Sequence, residues 1–257
     1  MYTDRALNHM SEPFKQVMLD ISSTMKEAYN AAATIVIPGS GTYGMEAVAR
    51  QFASGKKAVV LRNGYFSFRW TQIFEQGGIP TSHIVAKARC VSGDGPAARY
   101  APMPIDELEA LIAKEKPVSD ARAHTRTAAE RSTRRASRPG PAPPPRHPTS
   151  PYQAVLFAPH VETSTGILLP DDYVTRAAKA VHDAGGLMVL DCIASGTLWV
   201  DMEALGVDAL ITAPQKGWSG EAEIASRCDA QRSAQRRARG SPAHPSRGAQ
   251  APRAPAS

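Results

Sequence analysis

Cysteine is scarce in this chain. Cys90, Cys192 and Cys228 are the three in 257 residues, and they stand far apart. Such spacing supports neither a disulfide framework nor a zinc cluster and fits a reduced compartment. No apolar run reaches membrane-spanning length and no signal-peptide pattern opens the sequence. The expectation is a soluble intracellular protein, cytoplasmic unless an organelle holds it, with no membrane partner. Lysine is missing altogether from two stretches, 118–151 and 221–257, and each of these has one large aliphatic residue, Val118 and Ile224. Together they hold fourteen arginines against five acids, a net of +9, which leaves −3 for the rest of a chain whose total is +6. Segments made of Ala, Pro, Ser and Arg cannot bury enough apolar surface to offset chain entropy, so both are expected to be disordered. Basic arms invite a nucleic-acid reading. These lack interleaved aromatics, interrupt patterned sequence abruptly and look like GC-rich DNA translated in a wrong frame, so a nucleic-acid partner is not expected.

What remains is well patterned. Ser11 can cap a helix with Pro13 in its first turn, and Phe14, Val17, Met18, Ile21, Met25 and Tyr29 then share one face. Short apolar runs at Thr34–Ile37, Ala58–Leu61, His83–Ala86, Ala154–Phe157, Leu187–Leu190 and Ala209–Thr212 read as strands. Amphipathic helices separate them: one carries Met45, Val48 and Phe52, one Trp70, Ile73 and Phe74, one Leu108, Leu111 and Ile112, and one Tyr173, Val174, Ala177 and Val181. That alternation argues for an α/β fold with a mainly parallel sheet covered by helices on both faces. Ligands on such sheets sit at the carboxyl ends of strands.

Two of those ends carry paired chemistry. The 209–212 strand runs through Ala213-Pro214-Gln215 to Lys216, and the 187–190 strand ends in Asp191. A lysine held by a rigid element at the rim of a dry pocket suits imine formation with a carbonyl. Pyridoxal phosphate needs such a lysine and an acid against its ring nitrogen. Taken alone, Lys216 is more often a solvated surface residue; Asp191 is what raises it. Gly39-Ser-Gly-Thr-Tyr-Gly44 follows a strand and opens a helix, so it promises an anion at a helix N-terminus, with Ser40 and Thr42 assisting. It also fits a dinucleotide fingerprint, with Arg62 placed to meet a 2′-phosphate. An NADP-binding protein is therefore an alternative. His160 and Glu162 are two metal-type residues without a third and read as structural. No metal is expected. Cys192 reads as a small core residue.

The motifs Gly39-Ser-Gly-Thr-Tyr-Gly-Met-Glu-Ala47, Asn63-Gly-Tyr-Phe66, His160-Val-Glu-Thr-Ser-Thr-Gly166, Leu190-Asp-Cys-Ile-Ala-Ser195 and Pro214-Gln-Lys-Gly217 stand in the order seen in class V pyridoxal-phosphate-dependent aminotransferases. The set most resembles the alanine/serine–glyoxylate branch. The resemblance implies the large domain of a fold type I transferase, a homodimer, and transamination between a small amino acid and a 2-oxo acid such as glyoxylate or pyruvate. It assigns Lys216 to the imine and Asp191 to the ring nitrogen. It puts Ser40, Gly41, Thr42 and Gln215 at the phosphate, Phe66 on the cofactor ring and Thr163 at the ring oxygen. On this reading 1–117 and 152–220 are two parts of one large domain, 118–151 is an insert and 221–257 a basic tail. The family's C-terminal small domain, with its substrate-gripping arginine, is expected to be missing, and the sheet to end at the 209–212 strand with an open edge. A non-catalytic truncated relative, or a misread gene product, is the other expectation.

Overall fold

The computed structural model describes residues 7–114 and 154–219, and the backbone of 224–228. The 118–151 segment and the rest of 221–257 lie outside the described residues, so the expectation of disorder there concerns residues on which nothing further is said.

The chain opens with α1 (Glu12–Tyr29), β1 (Thr34–Pro38), α2 (Gly41–Ala53), β2 (Lys57–Arg62), α3 (Tyr65–Gly77) and β3 (Ser82–Lys87). A hairpin of β4 (Arg89–Ser92) and β5 (Arg99–Ala101) leads to α4 (Ile105–Lys114). The second part holds β6 (Ala154–Pro159), the small hairpin β7 (Val161–Glu162) and β8 (Ile167–Leu168), α5 (Asp171–Asp183), β9 (Leu187–Asp191), α6 (Met202–Leu205), β10 (Ala209–Thr212) and β11 (Ile224–Cys228). Local signals act where expected. The Ser11 hydroxyl accepts from the Phe14 N–H at 3.3 Å, which caps α1. Asn30 (φ 49°) and Gly78 (φ 56°) end α1 and α3 in the left-handed conformation.

Seven strands form one sheet in the order β3-β2-β6-β9-β10-β11-β1. The first five are parallel, and β11 runs antiparallel to both its neighbours. Side chains alternate across this sheet with strict parity. Val59, Leu61, Leu156, Ala158, Met188, Leu190 and Leu210 join the core beneath α1, α4 and α5. Ala58, Val60, Val155, Phe157, Leu187, Val189, Ala209 and Ile211 join the core beneath α2 and α3. Because both faces are covered, each central strand is apolar throughout.

Two expectations change here. The sheet does not end at β10: Ile211 and Thr212 pair with Arg227 and Ser226 of β11, and β11 in turn pairs along its length with β1. The edge next to β10 is therefore filled by a strand drawn from the segment expected to be a structureless tail. Its five residues, Ile-Ala-Ser-Arg-Cys, carry a single large aliphatic and give no strand pattern. Backbone pairing to two neighbours does not require one.

Candidate cofactor site

The carboxyl ends of β6, β9 and β10 meet the N-termini of α2 and α3 around a cavity of about 450 Å³. Ser40, Gly41, Thr42, Phe66, Thr163, Asp191, Gln215 and Lys216 all line it. The eight residues singled out in the sequence thus come together, from five separate stretches of chain.

Strand parity explains Asp191. Val189 faces the α2/α3 core, Leu190 the opposite one, so Asp191 turns back to the α2/α3 side and Cys192 is buried on the other. The Asp191 carboxylate accepts the Ile193 N–H at 3.0 Å. Burial pushes its pKa from 3.8 up to about 6; the Ile193 N–H opposes that rise, the Glu162 charge adds to it, and Arg69 opposes it. Burial outweighs both the Ile193 N–H and the Arg69 charge at this carboxyl.

The α2 N-terminus opens onto the cavity. Tyr43 and Gly44 donate back to the Ser40 carbonyl, and the N–H groups of Gly41 and Thr42 precede that turn. The Ser40 side chain makes no capping bond, so its hydroxyl is not consumed by the helix. A Cβ on Gly41 would stand 2.7 Å from Ile193 Cδ1, so glycine lets α2 approach the Asp191 loop. Across the cavity the buried Gln215 Oε1 has no hydrogen-bond partner.

Phe66 and Thr163 are placed by a clasp that the sequence does not announce. The wholly buried Glu162 carboxylate accepts from the backbone N–H groups of Phe66 (3.1 Å) and Ser67 (2.8 Å) and from the hydroxyls of Ser67 (2.6 Å) and Ser164 (2.6 Å). It caps α3 from a loop 95 residues away. Burial raises its pKa, but bonds from Ser164, Ser67 and Phe66 outweigh that and hold it below the ordinary carboxylate value. Gly64 is required here, since a Cβ would lie 2.3 Å from Ser164 Oγ. Glu162 is thus structural, as expected. His160 is buried, which lowers its pKa, and its Nδ1 pairs with Ser195 Oγ at 2.8 Å.

Lys216 is exposed at the cavity rim. Its loop is fixed by Trp218, whose indole N–H donates to Thr212 Oγ1 at 3.1 Å and whose ring lies 5.2 Å from Trp199 and 6.1 Å from Tyr29. Arg69 also lines the cavity, a residue the motif reading passed over. It stands three residues after Phe66, on the same helical face, and that spacing was the available signal. Arg62 does not line it; its guanidinium carbon lies 4.9 Å from the Phe68 ring centroid. Among the described residues no three His, Cys, Asp or Glu side chains group as metal ligands would, and no helix is long and apolar enough to cross a membrane.

No family model matches the chain. Among curated proteins it is 25% identical over 215 residues to the soluble hydrogenase small subunit of Synechococcus sp. (strain PCC 6716), covering 82% of this chain and 44% of that one. It is 23% identical over 215 residues to the L-aspartate–glyoxylate aminotransferase of Paracoccus denitrificans (82% and 43%). Against the alanine–glyoxylate aminotransferase of Rattus norvegicus it is 24% identical over 216 residues (82% and 40%). The chain spans less than half the length of these relatives. Among solved structures, ureidoglycine–glyoxylate aminotransferase from Bacillus subtilis aligns with a TM-score of 0.65 at 18% identity, covering 91% of this chain and 48% of that one. Alanine–glyoxylate aminotransferase from Nostoc sp. gives 0.62 at 19% identity (92% and 50%). The fold is that of the fold type I large domain, and the resemblance to class V aminotransferases of the alanine–glyoxylate branch holds in sequence as well.

Proposed function

We propose that this chain carries the cofactor-binding part of a pyridoxal-phosphate-dependent aminotransferase. The observation that supports it is the meeting of Asp191, Lys216 and the α2 N-terminus on one cavity. The residues fit the cofactor on their own chemistry. Asp191 is a buried acid whose pKa is raised by desolvation, and a protonated ring nitrogen would offer it a direct partner. The N–H groups of Gly41 and Thr42, with the Ser40 hydroxyl, suit a phosphate. Gln215 lines the same cavity. When bound, pyridoxal phosphate supplies an aldehyde for imine exchange and a ring that draws electrons from the substrate's Cα.

In this reading Asp191 would keep the ring nitrogen protonated. Phe66 would pack on the ring and Thr163 would offer its hydroxyl to the ring oxygen. Lys216 Nζ would hold the cofactor through its aldehyde carbon, with loss of water. Freed by the substrate amine, Nζ would act as the base that takes the proton from the substrate Cα. The substrates are a small amino acid of the alanine or serine type and a 2-oxo acid of the glyoxylate or pyruvate type. The working unit is a homodimer, with 1–117 and 152–220 as two parts of one large domain. Borohydride reduction in the presence of pyridoxal phosphate should leave a pyridoxyl adduct on the Lys216 peptide. An adduct on Lys56, Lys57 or Lys179 instead would overturn the assignment.

A further inference from the structure

We propose that Arg69 is the charged half of the phosphate seat, so that the α2 N-terminus and an arginine of α3 grip one anion from two sides. This rests on the cofactor reading above and names a residue which that reading does not use. Arg69 Nη1 donates to Thr42 Oγ1 at 3.0 Å, on the first turn of α2. Having accepted that bond, the Thr42 hydroxyl has its own proton to donate outward. One of the five guanidinium donors is thereby used; the others belong to a half-buried cation that lines the cavity. Among the described residues none of the ion pairs involves Arg69. Asp191 feels the Arg69 charge across the cavity but forms no ion pair with it, so the guanidinium is left to meet an anion.

Position favours the phosphate over the far end of the cavity. Arg69 is bonded to Thr42 in the first turn of α2, where the helix dipole already favours negative charge. Its guanidinium carbon lies 5.8 Å from the centroid of the Phe66 ring, one helical turn away on the same face of α3. Phe66 and Arg69 therefore form a pair from one helix, an apolar plate for a ring and a fork for the anion attached to it. Arginine suits this task because its planar donors match phosphate oxygens two at a time.

The test compares three probes on the apo form of the full 257-residue chain: pyridoxal 5′-phosphate, pyridoxal and inorganic phosphate. Binding is measured by calorimetric titration of the wild type, Arg69→Met, Arg69→Lys and, as control, Arg62→Met. Arg69→Met should weaken pyridoxal 5′-phosphate and inorganic phosphate by about tenfold or more, while pyridoxal changes by less than about twofold. Arg69→Lys should recover part of the loss and Arg62→Met should match the wild type. Equal losses for the two aldehydes would overturn the inference and make Arg69 a merely structural residue. So would phosphate affinity unchanged by Arg69→Met. Loss confined to a carboxylate probe such as succinate would assign Arg69 to the substrate instead and equally overturn it. If the wild type binds neither aldehyde, the cofactor reading fails separately, and the inorganic phosphate titration alone decides the role of Arg69. Should Arg69→Met fail to fold, Arg69→Lys and Arg69→Gln carry the same comparison.

Discussion

The two faces of the central sheet are built from the same strands yet do different things. On the α1/α4/α5 side, alternate residues make an apolar core, and the polar groups near it serve packing. His182 Nε2 meets Asp208 Oδ2 at 2.6 Å, and Asp208 also accepts the Met188 N–H at 2.8 Å, tying α5 to the start of β9. On the α2/α3 side the core is equally apolar below, but at the strand ends the same parity presents Asp191, with Phe66 and Arg69 above it and Lys216 at the rim. One residue of phase separates a cavity-lining carboxyl at 191 from a core-buried thiol at 192. Chemistry in this fold is a matter of which side a strand's last residue points to.

That contrast can be broken in graded steps. The largest effect should come from Lys216→Ala, which on the proposed function removes the link to the cofactor and the general base together. Transamination should fall by about 10²–10⁴-fold, the reduced adduct should vanish, and the urea midpoint should stay put. A shifted midpoint would mean that the lysine also holds the fold. Next comes the core beneath the site. Phe157 is wholly buried, with ring centroids 4.6 Å from Trp70 and 5.0 Å from Phe74. Phe157→Ala should cost about 3–5 kcal/mol by chemical denaturation. A loss under about 1 kcal/mol would show that this face is loosely packed.

Asp191 joins the two halves of the comparison. In the apo form its pKa is raised from 3.8 to about 6 by burial, so the folded state holds a proton that the unfolded chain has released. The Asp191 contribution to stability should therefore fall as pH rises from about 4 to about 6 and level off above. Asp191→Asn lacks this penalty. It should be the more stable apo protein at pH 7, by up to about 3 kcal/mol, and equal to the wild type near pH 4. It should bind the cofactor poorly. A stability difference between Asp191→Asn and the wild type that stays constant over that window would contradict the buried state of the carboxyl. The smallest effect belongs to Cys192→Ala, on the far face: about 1 kcal/mol of stability, with cofactor capture unchanged. Altered capture would mean that the faces are not independent.

Much of this was legible in the sequence. The central strands announced themselves because burial on both faces demands unbroken apolar runs, and the helices because their outer faces meet water. The eight cavity residues were legible because they sit in five motifs at strand and helix ends. Other features were not. The β7/β8 hairpin has two residues a side, too few for a period. The Glu162 clasp depends on α3 and a loop far away in sequence meeting in space. Arg69 shares a face with Phe66, but which face looks into the cavity is settled only by packing. Strand β11 is held by backbone bonds to two neighbours, and backbone bonds leave no mark in composition.

That last strand bears on the order in which the molecule can be made. β1 borders the sheet only through β11, with Thr34 opposite Cys228 and Pro38 opposite Ile224. As the chain leaves the ribosome, the five parallel strands can find one another while β1, made first, still has no neighbour. It must wait for nearly the whole chain, a contact of very high sequence separation and hence slow to form. β1 is followed by Ser40 and the first turn of α2, the proposed anion seat. The earliest-made part of the site is thus the last to be locked in place, and a phosphate-bearing ligand that binds there would act on the final step of folding.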